Sequence, residues 1–332
     1  VGGPAITGQA AIESPWLDDF LLYCRREQVP VDFVSLHLYP ERYPDPEKDR
    51  ELMDSFIKSD ISYEKKNQML AGIPRIYNGP DYTRQTLQTA RAKIEKAWGS
   101  LPEICITEWN ASAYNRNLVH DTVFVAAFII HNVVQCIGLA DMMAYWTFTD
   151  INEEVPLGNA PFHGSFGLVN KDGVKKASYF AYYFLSKLGD QILEKGEGYI
   201  ITKNQSGIQI LLYNFAYYDP FFMTGDTSAL TETDRYRVFE DKPAYEATIM
   251  LAGLQGAYKI TRYRLNRSHG SAFDKWVEMG APQDMSAEEI NYLKNHSFPE
   301  MQVKEVVLTG EHKEQTTLPV HGVELILLQR KI

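Results

Sequence analysis

Leu101-Pro-Glu-Ile-Cys-Ile-Thr-Glu-Trp-Asn110 is the stretch on which the fold turns. Ile104, Cys105, Ile106 and Thr107 make a short, largely β-branched run entered through Pro102, and the polar cluster Glu108-Trp109-Asn110 follows with no turn residue between. That pattern predicts a buried parallel strand with chemistry at its C-terminal mouth. A glutamate at the end of any strand is commonly solvated or salt-bridged, so the rest of the chain has to decide what Glu108 does.

Outward from this strand, the first half of the chain alternates short apolar runs with helical spacing, the signature of βα units around a parallel sheet. Val1-Gly-Gly-Pro-Ala5 reads as a strand end, and Val31-Asp-Phe-Val-Ser-Leu-His37 as the next strand, opening into His37-Leu-Tyr-Pro40. Between them, Trp16 to Arg26 has helical spacing in Trp16, Phe20 and Cys24. Glu41 to Pro80 is charged and Pro-rich and is expected to be an elaborated loop carrying one helix. Tyr82 to Trp98 reads as a helix leading into the Glu108 strand, Asp121 to Gly138 as a helix apolar nearly all round, and Met142-Met-Ala-Tyr-Trp146 as a fourth strand. Lys175 to Leu188 closes the unit as an aromatic-rich helix.

After about Gly189 the pattern changes to regular short strands, such as Gln209-Ile-Leu-Leu-Tyr213 and Val323-Glu-Leu-Ile-Leu-Leu328, which predicts a β-sandwich. Two domains are expected, 1–189 and 190–332. Four strands in the first part amount to half of an eight-stranded barrel. The fold class is therefore α/β plus all-β: the C-terminal half of a TIM barrel followed by a β-sandwich.

A chain of 332 residues with 45% hydrophobic content can bury a large core. Its net charge of −10, with basic residues scattered among acids, argues against a nucleic-acid partner for this segment. Cys24, Cys105 and Cys136 are odd in number and lie in apolar patterns, so neither a disulfide framework nor a zinc site is indicated, and no metal or cofactor is expected. No apolar run approaches the ~18 residues that span a bilayer, so no membrane partner is expected. A cytoplasmic location is expected. The chain opens on Val1, and the reading is that it is the C-terminal part of something longer.

Three strand ends deliver polar groups together: His37 and Tyr39 after the second, Glu108 and Asn110 after the third, and Trp146, Asp150, Glu153 and Glu154 after the fourth. In a barrel of parallel strands these converge on one face. Each has a plainer reading. His37 could be a satisfied structural histidine, Trp146 a core cap, Glu153 and Glu154 a solvated pair, and Asp150 an Asx-turn residue. Their joint placement is more specific than any member. It suits sugar cleavage, in which retaining glycosidases use two carboxyl groups about 5–5.5 Å apart. Glu108 supplies one of them.

Val1-Gly-Gly-Pro-Ala5, Asp32-Phe-Val-Ser-Leu-His-Leu-Tyr-Pro40, Ile106-Thr-Glu-Trp-Asn110, Tyr145-Trp-Thr-Phe-Thr-Asp-Ile-Asn-Glu-Glu154 and Phe162-His-Gly-Ser-Phe-Gly-Leu168 resemble glycoside hydrolase family 39. The resemblance continues through Asn266-Arg-Ser-His-Gly-Ser-Ala-Phe-Asp-Lys-Trp276 and Met279-Gly-Ala-Pro282. It implies a TIM barrel followed by a β-sandwich, and a retaining β-xylosidase or an α-L-iduronidase with a carbohydrate substrate. By motif, Glu108 would be the nucleophile, and His37, Tyr39, Trp146, Glu153 and Glu154 would line the sugar subsite. Asn110, Asp150 and His163 fall in the matched motifs and are expected to bind substrate with them.

One departure stands out: the family's acid/base is a Glu in an Asn-Glu-Pro type motif after the fourth barrel strand, and no Asn-Glu-Pro occurs here. Glu13, beside Ser14-Pro15, reads as a helix-start residue instead. The expectation is an exo-acting β-xylosidase whose acid/base lies outside this chain, with the fragment itself inactive. The alternatives are the sugar-sensing domain of an AraC-type transcription regulator and an α-L-iduronidase-like hydrolase. Absence of Lys or Arg among the matched site residues leans towards a neutral sugar.

Overall fold

The computed structural model describes residues 1–42, 75–152 and 158–331. The first half builds strands β1 (Gly2–Thr7), β2 (Phe33–Leu38), β3 (Glu41–Arg42), β4 (Ile76–Tyr77), β5 (Glu103–Trp109) and β6 (Met142–Tyr145). Of these, β1, β2, β5 and β6 lie side by side, all parallel and in chain order. The short pair β3 and β4 is antiparallel, so Glu41 and Arg42 meet Tyr77 and Ile76 across the ends of the segment expected to be an elaborated loop. The helix expected within that segment lies outside the described residues.

Helices α1 (Gly8–Glu13), α2 (Trp16–Arg26), α3 (Tyr82–Trp98), α4 (Phe124–Cys136) and α5 (Ala177–Leu185) surround the parallel sheet. Leu17 and Leu21 of α2, Leu87 and Ile94 of α3 and Phe128 of α4 share one core with Val34, Leu36, Ile104 and Ile106. The helix over Trp16–Arg26 forms as expected, but its face is turned by one residue. Leu17, Leu21 and Cys24 are buried at i, i+4, i+7 spacing, whereas Trp16 is 58% exposed. Glu13 also differs from expectation: it ends α1, where Gln9 Nε2 donates to it at 2.9 Å. The α3 helix stops at Gly99, whose φ of 90° suits a residue without a Cβ. All three cysteines are free and buried.

From Gln191 the chain is antiparallel: β7 (Gln191–Gly196), β8 (Tyr199–Asn204), β9 (Gly207–Tyr213), β10 (Tyr245–Leu265), β11 (Glu300–Leu318) and β12 (Val323–Arg330). Helices α6 (Pro220–Met223), α7 (Ala272–Glu278) and α8 (Ala287–His296) interrupt them; the last starts on a Ser286 cap, with Glu289 completing a capping box. These strands are hydrogen-bonded in the order β11-β10-β12-β9-β8-β7. Two layers arise because the long strands bend. The β10–β11 register shifts between Leu251 and Leu254, close to Gly253 and Gly310, both at positive φ. Beyond the bend, Tyr245 at the start of β10 reaches back to the β7–β8 turn, its phenol 3.4 Å from the Glu197 carbonyl. Ile201, Ile210, Leu251, Ile260, Leu308 and Ile326 are enclosed between the layers.

The two parts of the chain share packing. Phe124 of α4 stacks on Phe239 with centroids 4.5 Å apart and also meets Phe215 and Tyr218. Buried aromatic pairs of this kind add about 0.5–1.5 kcal/mol each beyond their area.

Candidate active site

Strict alternation along β5 would point Glu108 to the same side as Ile106, into the helix-covered core. The pairing with β2 prevents this: Leu36 lies opposite Ile106, but His37 lies opposite Glu108, leaving Thr107 as an extra residue. Such a bulge reverses the facing of everything after it. Ile104, Ile106 and Trp109 are fully buried, with Trp109 packed on Phe128 of α4. Glu108 is turned to the other face, its side chain 28% exposed.

The same bulge sets His37 beside Glu108, and His37 Nδ1 lies 3.3 Å from Glu108 Oε2. The Tyr39 phenol donates to that oxygen at 3.0 Å. Three of the predicted residues therefore meet at one carboxylate. An accessible carboxylate oriented through one oxygen can attack an electrophilic carbon or accept hydroxyl hydrogen bonds.

Glu41, two residues past Tyr39, stands at the start of the expected loop. It is buried and accepts hydrogen bonds from Ser112 Oγ and the Ala113 N–H, just beyond β5, and from Tyr77 Oη at 3.3 Å. Arg75 Nη1 lies 3.6 Å from Glu41 Oε1, the oxygen that Ser112 and Tyr77 also reach, and the guanidinium lies over the Tyr114 ring. Burial pushes the Glu41 carboxyl above its usual range, against the pull of Arg75 and the donors. Glu41 thus ties the segment carrying Tyr39 to the segment following Glu108. The local signal, a Glu after Tyr-Pro, does not reveal partners so distant in sequence.

Asn110 is fully buried and is placed behind this group. Its amide donates to the Trp146 carbonyl at 2.6 Å and accepts from Tyr145 Oη at 2.9 Å, so it stitches the ends of β5 and β6 together. Trp146 is partly buried, and its peptide bond to Thr147 is cis. Asp150 is 2% exposed; its Oδ1 accepts from Lys176 Nζ and from the Gly167 N–H, both at 2.8 Å. Lys176 also pairs with Asp121 at 2.6 Å, and Asp121 with Arg235 at 2.7 Å, making a buried network of two acids and two bases. Burial opposes ionisation of Asp121, but Lys176 and Arg235 outweigh it and hold the carboxyl at about 2. For Asp150, burial and the nearby Asp121 charge prevail over Lys176 and raise the carboxyl. His163 is buried, with Nδ1 2.9 Å from the Ala160 carbonyl. Glu153 and Glu154 lie outside the described residues. Among the described residues no three His, Cys, Asp or Glu side chains are grouped to hold a metal ion, and no helix is long and apolar enough to cross a membrane.

Residues 1–313 match the sequence pattern of "Glycosyl hydrolases family 39". The chain belongs to that family. A β-xylosidase of Geobacillus stearothermophilus is 30% identical over 295 residues, which cover 88% of this chain and 50% of that protein. An HTH-type transcriptional regulator of Staphylococcus aureus is 20% identical over 288 residues, covering 86% of this chain and 36% of the regulator. Among solved structures, a monomeric β-xylosidase from Caulobacter crescentus superposes with a TM-score of 0.77 at 25% identity, over 100% of this chain and 62% of that one. The family 39 chain described here thus spans about half the length of the curated β-xylosidase. Its parallel and antiparallel sheets fit the barrel-plus-sandwich architecture of such neighbours.

Proposed function

We propose that the protein is a retaining, exo-acting β-xylosidase in which Glu108 is the nucleophile. The observation that carries this reading is the convergence of Tyr39 Oη and His37 Nδ1 on one oxygen of a partly exposed carboxylate. With Oε2 so engaged, Oε1 is left to attack the anomeric carbon, and the Tyr39 hydrogen bond orients the carboxylate. Trp146 would form one wall of the sugar subsite, and His163, Glu153 and Glu154 would bind substrate as the family motif implies. Asn110 and Asp150 would contribute by holding the strand ends, since their side chains are occupied by Trp146, Tyr145, Gly167 and Lys176.

In this reading residues 1–189 are strands five to eight of a TIM barrel and residues 190–332 the sandwich. A retaining mechanism needs a second carboxyl about 5–5.5 Å from the first. The buried Glu41 and Asp150 are engaged in holding structure, and no described residue is assigned that role. The activity proposed is accordingly that of a longer polypeptide containing residues 1–332. A cytoplasmic location is proposed with it, supported by three buried free cysteines.

Full-length protein is expected to hydrolyse an aryl β-xyloside with retention of configuration, followed by proton NMR of the released sugar, and Glu108→Ala to abolish this. Inverted product, or an active Glu108→Ala variant, would overturn the assignment. The likeness to an HTH-type regulator supports a second reading, a sugar sensor. Binding of xylose without hydrolysis, together with sugar-dependent DNA binding by the full-length protein, would favour it.

A further inference from the structure

A cavity of about 660 Å³ lies outside the parallel sheet, between the start of α3, the outer face of α4 and the end of the antiparallel sheet near the β7–β8 turn. None of the residues around Glu108 lines it. Its size falls within the range of roughly 300–1,000 Å³ for small-molecule sites.

Among the described residues, several polar groups lining this cavity have no hydrogen-bond partner. Asn214 and Tyr217 line it and are almost completely buried, yet Asn214 Oδ1 and Tyr217 Oη have no hydrogen-bond partner among the described residues. Asn214 uses its amide nitrogen on the Pro243 and Leu318 carbonyls, which fixes the orientation of the free oxygen. His131 also lines the cavity. Its ring stacks on Phe215 at 4.4 Å, and neither ring nitrogen has a hydrogen bond among the described residues. A buried polar atom without a partner is unfavourable, and a ligand supplying the missing bond would offset that cost.

The lining also limits the ligand. Asp81, Glu197 and Glu240 bring three carboxylates, against Lys242, whose ammonium already donates to the Phe215 carbonyl at 2.7 Å, and Arg84, which pairs with Asp81 at 3.2 Å, leaving the wall net acidic. An anion is repelled by such a wall. Tyr245 and Phe215 supply aromatic surface, and carboxylates and amides accept from hydroxyl groups. Aromatic faces combined with acceptors and a neutral imidazole suit an uncharged polyhydroxylated ring.

We propose that this cavity is a second binding site for a neutral saccharide, separate from the Glu108 site. The site does not depend on the proposed activity; only the choice of a xylose oligomer as first probe rests on that reading. The test is calorimetric titration of the full-length protein carrying Glu108→Ala, so that no sugar is consumed, with xylotriose and in parallel with cellotriose. At least one of the two is expected to bind at two sites per chain. Adding His131→Leu, which keeps apolar volume against Phe215, or Tyr245→Ala, is expected to weaken one site at least tenfold and leave the other unchanged. If the Glu108 reading fails, a single site remains and is lost in the cavity variants, so the two failures are distinguishable. Binding insensitive to both cavity variants would overturn the proposal. So would cavity variants that change only the melting temperature or the oligomeric state, because the cavity would then be filled by protein. Binding of inorganic phosphate at the cavity would also contradict it.

Discussion

Tyr39 donates its phenolic proton to Glu108 at 3.0 Å across the mouths of two neighbouring strands, on the oxygen that His37 Nδ1 approaches to 3.3 Å. A hydrogen bond to a charged group is worth about 1.5–3 kcal/mol, and here it also fixes which oxygen is free to react. Tyr39→Phe in the full-length protein is therefore expected to lower kcat/KM for an aryl β-xyloside by roughly 10- to 150-fold. The melting temperature should change little, since the site is partly exposed. An unchanged rate would mean that Tyr39 does not act on the reacting carboxylate.

Glu41 holds the same segment from the other end. Removing its carboxylate leaves Ser112 Oγ, the Ala113 N–H, Tyr77 Oη and the Arg75 charge without their shared acceptor. Glu41→Ala should destabilise by about 3 kcal/mol, the usual cost of breaking a buried, hydrogen-bonded charge. It should also reduce kcat more than it raises KM, because Tyr39 loses its placement on Glu108. Urea unfolding and steady-state kinetics read the two effects separately. A stability loss with unchanged kcat would show that the tether does not reach the site.

Two buried histidines and one half-buried one make the fold sensitive to mild acid. Burial depresses His120, His131 and His321 from 6.5 to about 4 each. A base depressed on folding contributes stability that is complete above 6.5 and is lost as the pH falls from 6.5 to about 4, because the unfolded chain takes up the proton first. Each depression corresponds to about 3 kcal/mol. The melting temperature should fall steeply over that window, and His120→Asn, which can still donate to the Gly164 carbonyl, should flatten the slope. A melting temperature constant from pH 6.5 to 4.5 would contradict this.

How far these features were legible in the sequence depends on how local their causes are. The Glu108 strand could be read because its β-branched run and polar exit are contiguous, and His37 and Tyr39 because they stand at the next strand's end. The Thr107 bulge could not, since it exists only in the pairing with Leu36 and His37. Asn110 and Asp150 show the same pattern as ligands, polar residues after strands. What assigns them to holding structure is Trp146, 36 residues away, and Lys176, 26 residues away. Lys176 itself is indistinguishable by sequence from its half-buried neighbour Lys175. The antiparallel strands were recognisable by alternation. Their union into one bent sheet was not, because it depends on glycines whose roles appear only where the β10–β11 register shifts.

Lys176 is the keystone of the buried charges, and its removal gives the sharpest test of that network. Lys176→Met keeps the volume but leaves Asp150 with only the Gly167 N–H, while Asp121 retains Arg235 and the Gly164 N–H. Losing one partner of a buried pair costs about 3–5 kcal/mol. The penalty should shrink as the pH is lowered, because Asp150, already raised by burial and by Asp121, then takes up a proton and ceases to be an unpaired charge. Adding Asp150→Asn should restore part of the stability at pH 7, since the amide oxygen still accepts from Gly167 without carrying charge. The coupling between the two substitutions should exceed about 1 kcal/mol, whereas independent sites agree within about 0.5 kcal/mol. Urea unfolding of the wild type, both single variants and the double variant measures it directly. Additive effects would mean that Lys176 and Asp150 do not stabilise one another, and the loop after β6 would then need a different anchor.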